Sequence, residues 1–125
     1  MKPERDLDLA SADPEKKKAA AQMLVLSLLE ERQRHGYDIA KSIRDRSSGV
    51  LDFHAASLYT LLNRLEGKGW IAGRWVEKPR ERRRRFYRLT EEGSRELAAK
   101  RRSWRVFVEA VAQVMAPDPK QPERA

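Results

Sequence analysis

Residues 53–90, FHAASLYTLLNRLEGKGWIAGRWVEKPRERRRRFYRLT, constrain this chain more than any other stretch, because the apolar period changes from helical to extended inside it and a run of arginines marks where it turns back. Leu58, Leu61, Leu62 and Leu65 recur at spacings of three and four. That places them on one stripe of a helix and makes the stripe its buried face. The opposite face is then centred on Ala56, Thr60, Asn63 and Gly67, with Ser57, Tyr59 and Arg64 on its flanks. Gly67 and Gly69 allow a tight exit, and Trp70 to Val76 has the β-branched and aromatic content of a strand. Pro79 cannot donate to a ladder and so belongs in a turn. Arg84 to Leu89 returns as a second strand, with Arg85, Tyr87 and Leu89 on one face and Phe86 and Arg88 on the other.

Charge is concentrated on that returning hairpin. The chain carries 27 Lys and Arg against 19 Asp and Glu, a formal charge of +8, and eight of the basic residues against two acidic ones lie between Arg74 and Arg88. Such a patch favours a polyanionic partner. A solvated loop kept for solubility is the plainer reading, but mixed charge would serve solubility better than arginine at five of the six positions 80–85. The guanidinium is a fork that matches phosphate and fits a narrow minor groove. Arg80, Arg82, Arg83, Arg84 and Arg85 are therefore expected on the backbone or minor groove of double-stranded DNA. Ala56, Ser57, Thr60, Asn63 and Arg64 offer the small or hydrogen-bonding surface that a helix in a major groove needs. Asn63 can make a two-point contact with adenine. Tyr59 is expected to pin its helix to the hairpin or to set a hydroxyl on a phosphate, two roles that are compatible, and Tyr87 is expected in the core.

The remaining segments support this unit. Residues 1–12 read as a disordered arm. Asp13 as cap, Pro14 at the first helical position and Glu15 at the positive end of the dipole predict a first helix. Its middle is apolar most of the way round, from Ala20 to Leu29, so it needs cover from its own domain and from something else. Gly36 is expected to end it. A second helix follows over about residues 38–46, broken by Ser47, Ser48 and Gly49, and residues 50–53 make an extended entry to the third. Thr90 caps a last helix reaching Met115, roughly 25 residues and about 38 Å. Leu97, Trp104 and Val111 fall seven apart, with Phe107, Val108, Val114 and Met115 beside them, as in a seam between helices. Met23, Leu24, Leu28, Leu97, Trp104, Phe107, Val108, Val111 and Met115 are accordingly expected to join two copies of the chain. The whole reads as a mainly α winged helix-turn-helix of order α-α-α-β-β-α. Its parts are a DNA-binding domain over 13–90, a dimerisation helix over 91–115 and a disordered, proline-rich tail over 116–125.

That order, with particular residues in it, resembles the PadR family of bacterial transcriptional regulators in its shorter form with one C-terminal helix. The resemblance is carried by His35-Gly36-Tyr37-Asp38-Ile39, by Ser57-Leu58-Tyr59 with Leu62, Leu65 and Glu66, and by Gly69-Trp70-Ile71 leading to Trp75. Phe86 through Gly93 closes the hairpin, and Trp104 with Phe107 lies in the last helix. Relatives often carry proline after the tyrosine of the third helix, where this chain has Thr60, and this wing is richer in arginine. The resemblance implies a homodimeric repressor on a pseudo-palindromic operator. It also implies that a flat aromatic effector could be enclosed between last helices, with Trp104 as the candidate contact.

Other classes find less support. There is no cysteine, so neither a disulfide framework nor a thiolate metal site is expected, and His35 and His54, the only histidines, read as cap or surface residues rather than metal ligands. No Ser/His/Asp or Cys/His set and no phosphate-cradling glycine loop suggests an enzyme, and no cofactor is expected. No apolar run is long enough for a membrane span and residues 1–18 lack the apolar core of a signal peptide, so a cytoplasmic protein without membrane contact is expected. The runner-up is a winged-helix adaptor whose basic hairpin docks an acidic protein surface. RNA binding through Phe86 and Trp75 is a weaker third.

Overall fold

The computed structural model describes residues 14–120; the arm, the Asp13 cap and the last five residues of the expected tail lie outside them. The element order is α1 (Pro14–Glu31), β1 (Arg34–His35), α2 (Gly36–Arg46), α3 (Ala55–Gly67), β2 (Ile71–Val76), β3 (Arg84–Leu89) and α4 (Glu91–Met115). Three helices and a three-stranded antiparallel sheet of order β1-β3-β2 enclose one core, which the start of α4 completes. Val25, Leu26, Leu28 and Leu29 of α1, Ile39 and Ile43 of α2 and Leu58, Leu62 and Leu65 of α3 meet Ile71, Tyr87 and Leu97 there. Leu61 packs against this cluster from its edge, so the leucine stripe of α3 is the inward face. Each fully buried leucine contributes about 2 kcal/mol by area. Among the described residues no helix is long and apolar enough to cross a membrane.

The sequence expectation for Gly36 is corrected. It does not end α1, which stops at Glu31, but opens α2, and the two residues before it form a strand the sequence reading did not contain. β1 pairs with β3 through Arg34 opposite Tyr87 and His35 opposite Phe86. Glycine at 36 makes room for a neighbour rather than serving its own dihedrals, since an added Cβ would lie 2.9 Å from the Tyr59 hydroxyl and 3.0 Å from its ring. Arg34 itself is only 2 % exposed. Its guanidinium donates to the Leu28 carbonyl at 3.0 Å, Ser42 Oγ at 3.1 Å, Asp38 Oδ2 at 3.2 Å and Glu31 Oε1 at 2.7 Å. It thereby ties the end of α1 to α2 from the strand between them.

Local chemistry places the other boundaries. His35 caps α2, its Nδ1 accepting from the Asp38 amide at 3.2 Å. His54 occupies the N-cap of α3 without a side-chain bond to it. Gly69, at φ +80, takes the left-handed position that follows a helix end, and the Trp70 amide closes back on the Leu65 carbonyl at 3.0 Å. At the wing tip the Glu81 amide reaches the Lys78 carbonyl at 3.0 Å, which puts Pro79 first and Arg80 second inside the turn. Arg80 has φ 65, where glycine is the usual occupant. Thr90 caps α4 by accepting from the Gly93 amide at 3.0 Å.

Candidate nucleic-acid interface

The buried stripe of α3 turns Ala56, Ser57, Tyr59, Thr60, Asn63 and Arg64 outward, and all six are exposed. Thr60 Oγ1 donates to the Ala56 carbonyl at 3.0 Å, so its hydroxyl proton is spent within the helix and what it offers outward is a methyl group and oxygen lone pairs. Asn63 is exposed and carries an amide with both a donor and an acceptor. Tyr59 lies over Gly36 at the start of α2, with its hydroxyl the atom nearest that glycine, while the residue remains 46 % exposed. Asn63 and Tyr59 share a cleft of about 600 Å³ with His35, Tyr37, Trp75 and Arg82 to Arg85. Asn63 and Tyr59 of α3 and the arginines of the wing thus line one groove.

The arginines of the wing are not equivalent. Arg80 and Arg82 at the tip are exposed. Arg83 lies 4.4 Å from the centre of the Trp75 ring and 3.4 Å from Glu77, still 56 % exposed at its side chain. Arg84, on the opposite face of β3, brings Nη1 within 2.9 Å of His35 Nε2. A neutral imidazole has one acceptor nitrogen, and Nδ1 already accepts from α2, so this pair offers Arg84 no acceptor. Burial first, then the charges of Arg84 and Arg32, hold the His35 pKa below its ordinary value against the opposing pull of Asp38. Arg85 is half-buried. It turns inward over Gly73 to Glu66 of α3, at 2.6 Å, between the rings of Trp75 and Tyr87. Sequence reasoning missed Glu66; its signal was an acidic residue beside the leucine stripe, facing a strongly basic hairpin.

At the far end, α4 leaves the domain. Leu97 is fully buried and Leu28 is 5 % exposed, so their expected place between two copies is corrected: both are spent in the core of a single chain. Arg101 then bonds Glu30 at 2.8 Å and Ser27 at 3.3 Å across α1. Beyond it every residue from Arg102 to Met115 is exposed, including Trp104, Phe107, Val108, Val111 and Met115, over about 21 Å of helix. Met23 and Leu24 on α1 are half-buried. Trp104 packs on Phe107, with centroids 6.1 Å apart, beside a groove of about 450 Å³ that Ala19, Met23, Ala99 and Lys100 also line.

A buried helix-turn-helix, an outward polar third helix and a basic antiparallel wing define a winged helix-turn-helix regulator of transcription. The family model described as Transcriptional regulator PadR-like family matches residues 25–99, and the chain belongs to that family. It is similar to a transcriptional regulator from Clostridium thermocellum, at 27 % identity and a TM-score of 0.75 over 84 % of this chain and 99 % of that one. A PadR family transcriptional regulator from Eggerthella lenta is 34 % identical with a TM-score of 0.68, covering 78 % of this chain and 82 % of its own. One from Clostridium difficile is 31 % identical with a TM-score of 0.69, over 77 % and 98 %. The protein is a DNA-binding transcriptional regulator and not an enzyme.

Proposed function

We propose that the chain represses transcription as a homodimer on a pseudo-palindromic operator, with α3 in the major groove and the wing on the backbone or minor groove. The observation that carries this is the groove itself: Asn63 and Tyr59 on one wall face the same opening as Arg82, Arg83 and Arg84 on the other. Asn63, Thr60 and their small neighbours Ala56 and Ser57 would read bases, and Arg64, Arg80, Arg82, Arg83 and Arg84 would hold phosphates. The dimer reading is supported by Trp104, Val108, Val111 and Met115, which continue the stripe of Leu97 into solvent at spacings of four and three, with Phe107 beside them. Contiguous apolar surface of that kind is unusual on a monomer. Pairing it, with Met23 and Leu24, about a two-fold axis would set two α3 helices about 34 Å apart or a multiple of it. The groove beside Trp104 is the place such a dimer would offer a flat aromatic effector.

The test combines chromosomal immunoprecipitation of bound fragments with footprinting and light scattering. Two inverted half-sites, a dimer at micromolar concentration, and a slope of log K against log salt of roughly −5 to −9, for six to ten phosphates, are the expected results. A well-behaved monomer that protects one half-site would overturn the dimer and the operator symmetry together.

A further inference from the structure

We propose that Glu66 is a positioning residue for DNA recognition: it fixes the angle between the wing and the recognition helix by clamping Arg85, which is therefore a strut and not a phosphate contact. This rests on the reading of α3 and the wing as one DNA-binding groove.

Three features carry it. Glu66 leaves the last turn of α3, and its Oε2 accepts from Arg85 Nη2 of β3 at 2.6 Å and from the Gly73 amide of β2 at 3.3 Å, so one carboxylate oxygen holds both wing strands. The path of Arg85 is built for this. An added Cβ at Gly73 would meet the guanidinium Nε at 2.7 Å, Nη2 at 2.8 Å and Cζ at 2.9 Å, whereas the backbone there has no positive φ that would itself require glycine. Trp75 and Tyr87 flank the channel, 5.5 and 5.8 Å from the guanidinium carbon. Finally, both charges are partly withdrawn from solvent, with side chains 25 % and 29 % exposed, unlike those of the tip. An ion pair so enclosed, with geometry fixed on three sides, specifies an angle better than an exposed pair does.

Charge alone and the clamp predict opposite signs for the loss of Glu66. Removing a carboxylate from beside a DNA groove should tighten binding if Glu66 acts only through its charge. If it is the clamp, removing it should weaken binding to specific DNA.

The probe is the tightest duplex that the wild-type full-length protein selects from a random-sequence library, compared with a scrambled duplex of the same composition. Glu66→Gln, Arg85→Lys and Gly73→Ala are measured against wild type by fluorescence anisotropy over a salt series, with circular dichroism confirming folding. Gly73→Ala matters because it obstructs the channel without changing any charge. All three should lose about ten-fold on the selected duplex, the worth of one charge-assisted hydrogen bond. They should lose less than about two-fold on the scrambled one and keep the wild-type salt slope, since no phosphate contact is removed. Arg82→Ala, by contrast, should flatten the slope and weaken both duplexes. Tighter binding by Glu66→Gln, or an Arg85→Lys variant equal to wild type, would overturn the clamp while leaving DNA reading by the groove intact. If wild type itself fails to prefer any selected duplex, the groove reading falls and the clamp with it.

Discussion

Replacing Arg34 by methionine should cost about 3 kcal/mol of folding stability, although the substitution keeps the length of the stem. Four acceptors lose a donor, but they do not lose equally. Glu31 keeps Arg46, which donates to both of its oxygens at 2.7 and 2.8 Å and heads the causes that lower its pKa to about 2. Asp38 keeps Arg32 at 3.2 Å and the Ser42 hydroxyl at 3.4 Å. The contact without a second side-chain donor is the one to the Leu28 carbonyl in the last turn of α1, which Arg34 Nε reaches at 3.0 Å. Losing that charge-assisted bond inside the core costs about 1.5 to 3 kcal/mol, and the weakened carboxylate contacts add about 1 more. That is a large share of the roughly 5 to 15 kcal/mol that holds a domain of this kind together. Urea unfolding followed by circular dichroism should show the midpoint falling by about 1 to 2 M at unchanged slope. Protein concentration must be held fixed, because association would shift the midpoint too. Arg46→Ala, which breaks an exposed pair on the same glutamate, should move the midpoint little. A methionine variant within about 1 kcal/mol of wild type would refute the reasoning, showing that Arg34 only breaks even against its desolvation.

Gly93→Ala should destabilise by about 2 kcal/mol or more, though alanine ordinarily improves a helix interior by nearly 1, because the new Cβ would collide with the Trp70 carbonyl and backbone cannot swing aside; a rise in melting temperature would contradict the packing. Asn63→Ala should cost about 1 to 3 kcal/mol on the selected duplex and much less on random DNA; equal losses would mean that Asn63 holds backbone instead of reading bases. His35 gives a pH dependence. Its folded pKa is depressed, chiefly by burial, so the folded state takes up its proton less readily than the unfolded chain. The stability it contributes is complete above about pH 6.5 and is lost as pH falls from there through the folded value. In His35→Asn, which retains a capping side chain, the urea midpoint should fall less than that of wild type between pH 8 and 5, and parallel curves would count against the shift.

Much of this architecture is written locally. The leucine stripe of α3 follows from four residues within two turns, and the Thr90 cap from a hydroxyl three residues before the amide it accepts from. The span of β3 and the end of α4 follow from alternation and from a proline, each decided by neighbours in sequence. The polar face of α3 was legible for the same reason, since whatever opposes a buried stripe is fixed by helical phase. The tertiary structure decided what depends on residues brought together from afar. A two-residue strand has no period to detect, and β1 exists only because β3 offers it a ladder. Gly36 looked like a helix terminator because the residue that needs its missing Cβ, Tyr59, lies on another helix. Leu28 and Leu97 share a pattern with Met23 and Trp104, and only packing of α1 on α4 separates core from free surface. Arg85 reads in sequence as one more member of a basic run. Its different role comes from Glu66, nineteen positions away, because where a long, flexible side chain points is set by the nearest enclosed partner and not by the residues beside it in the chain.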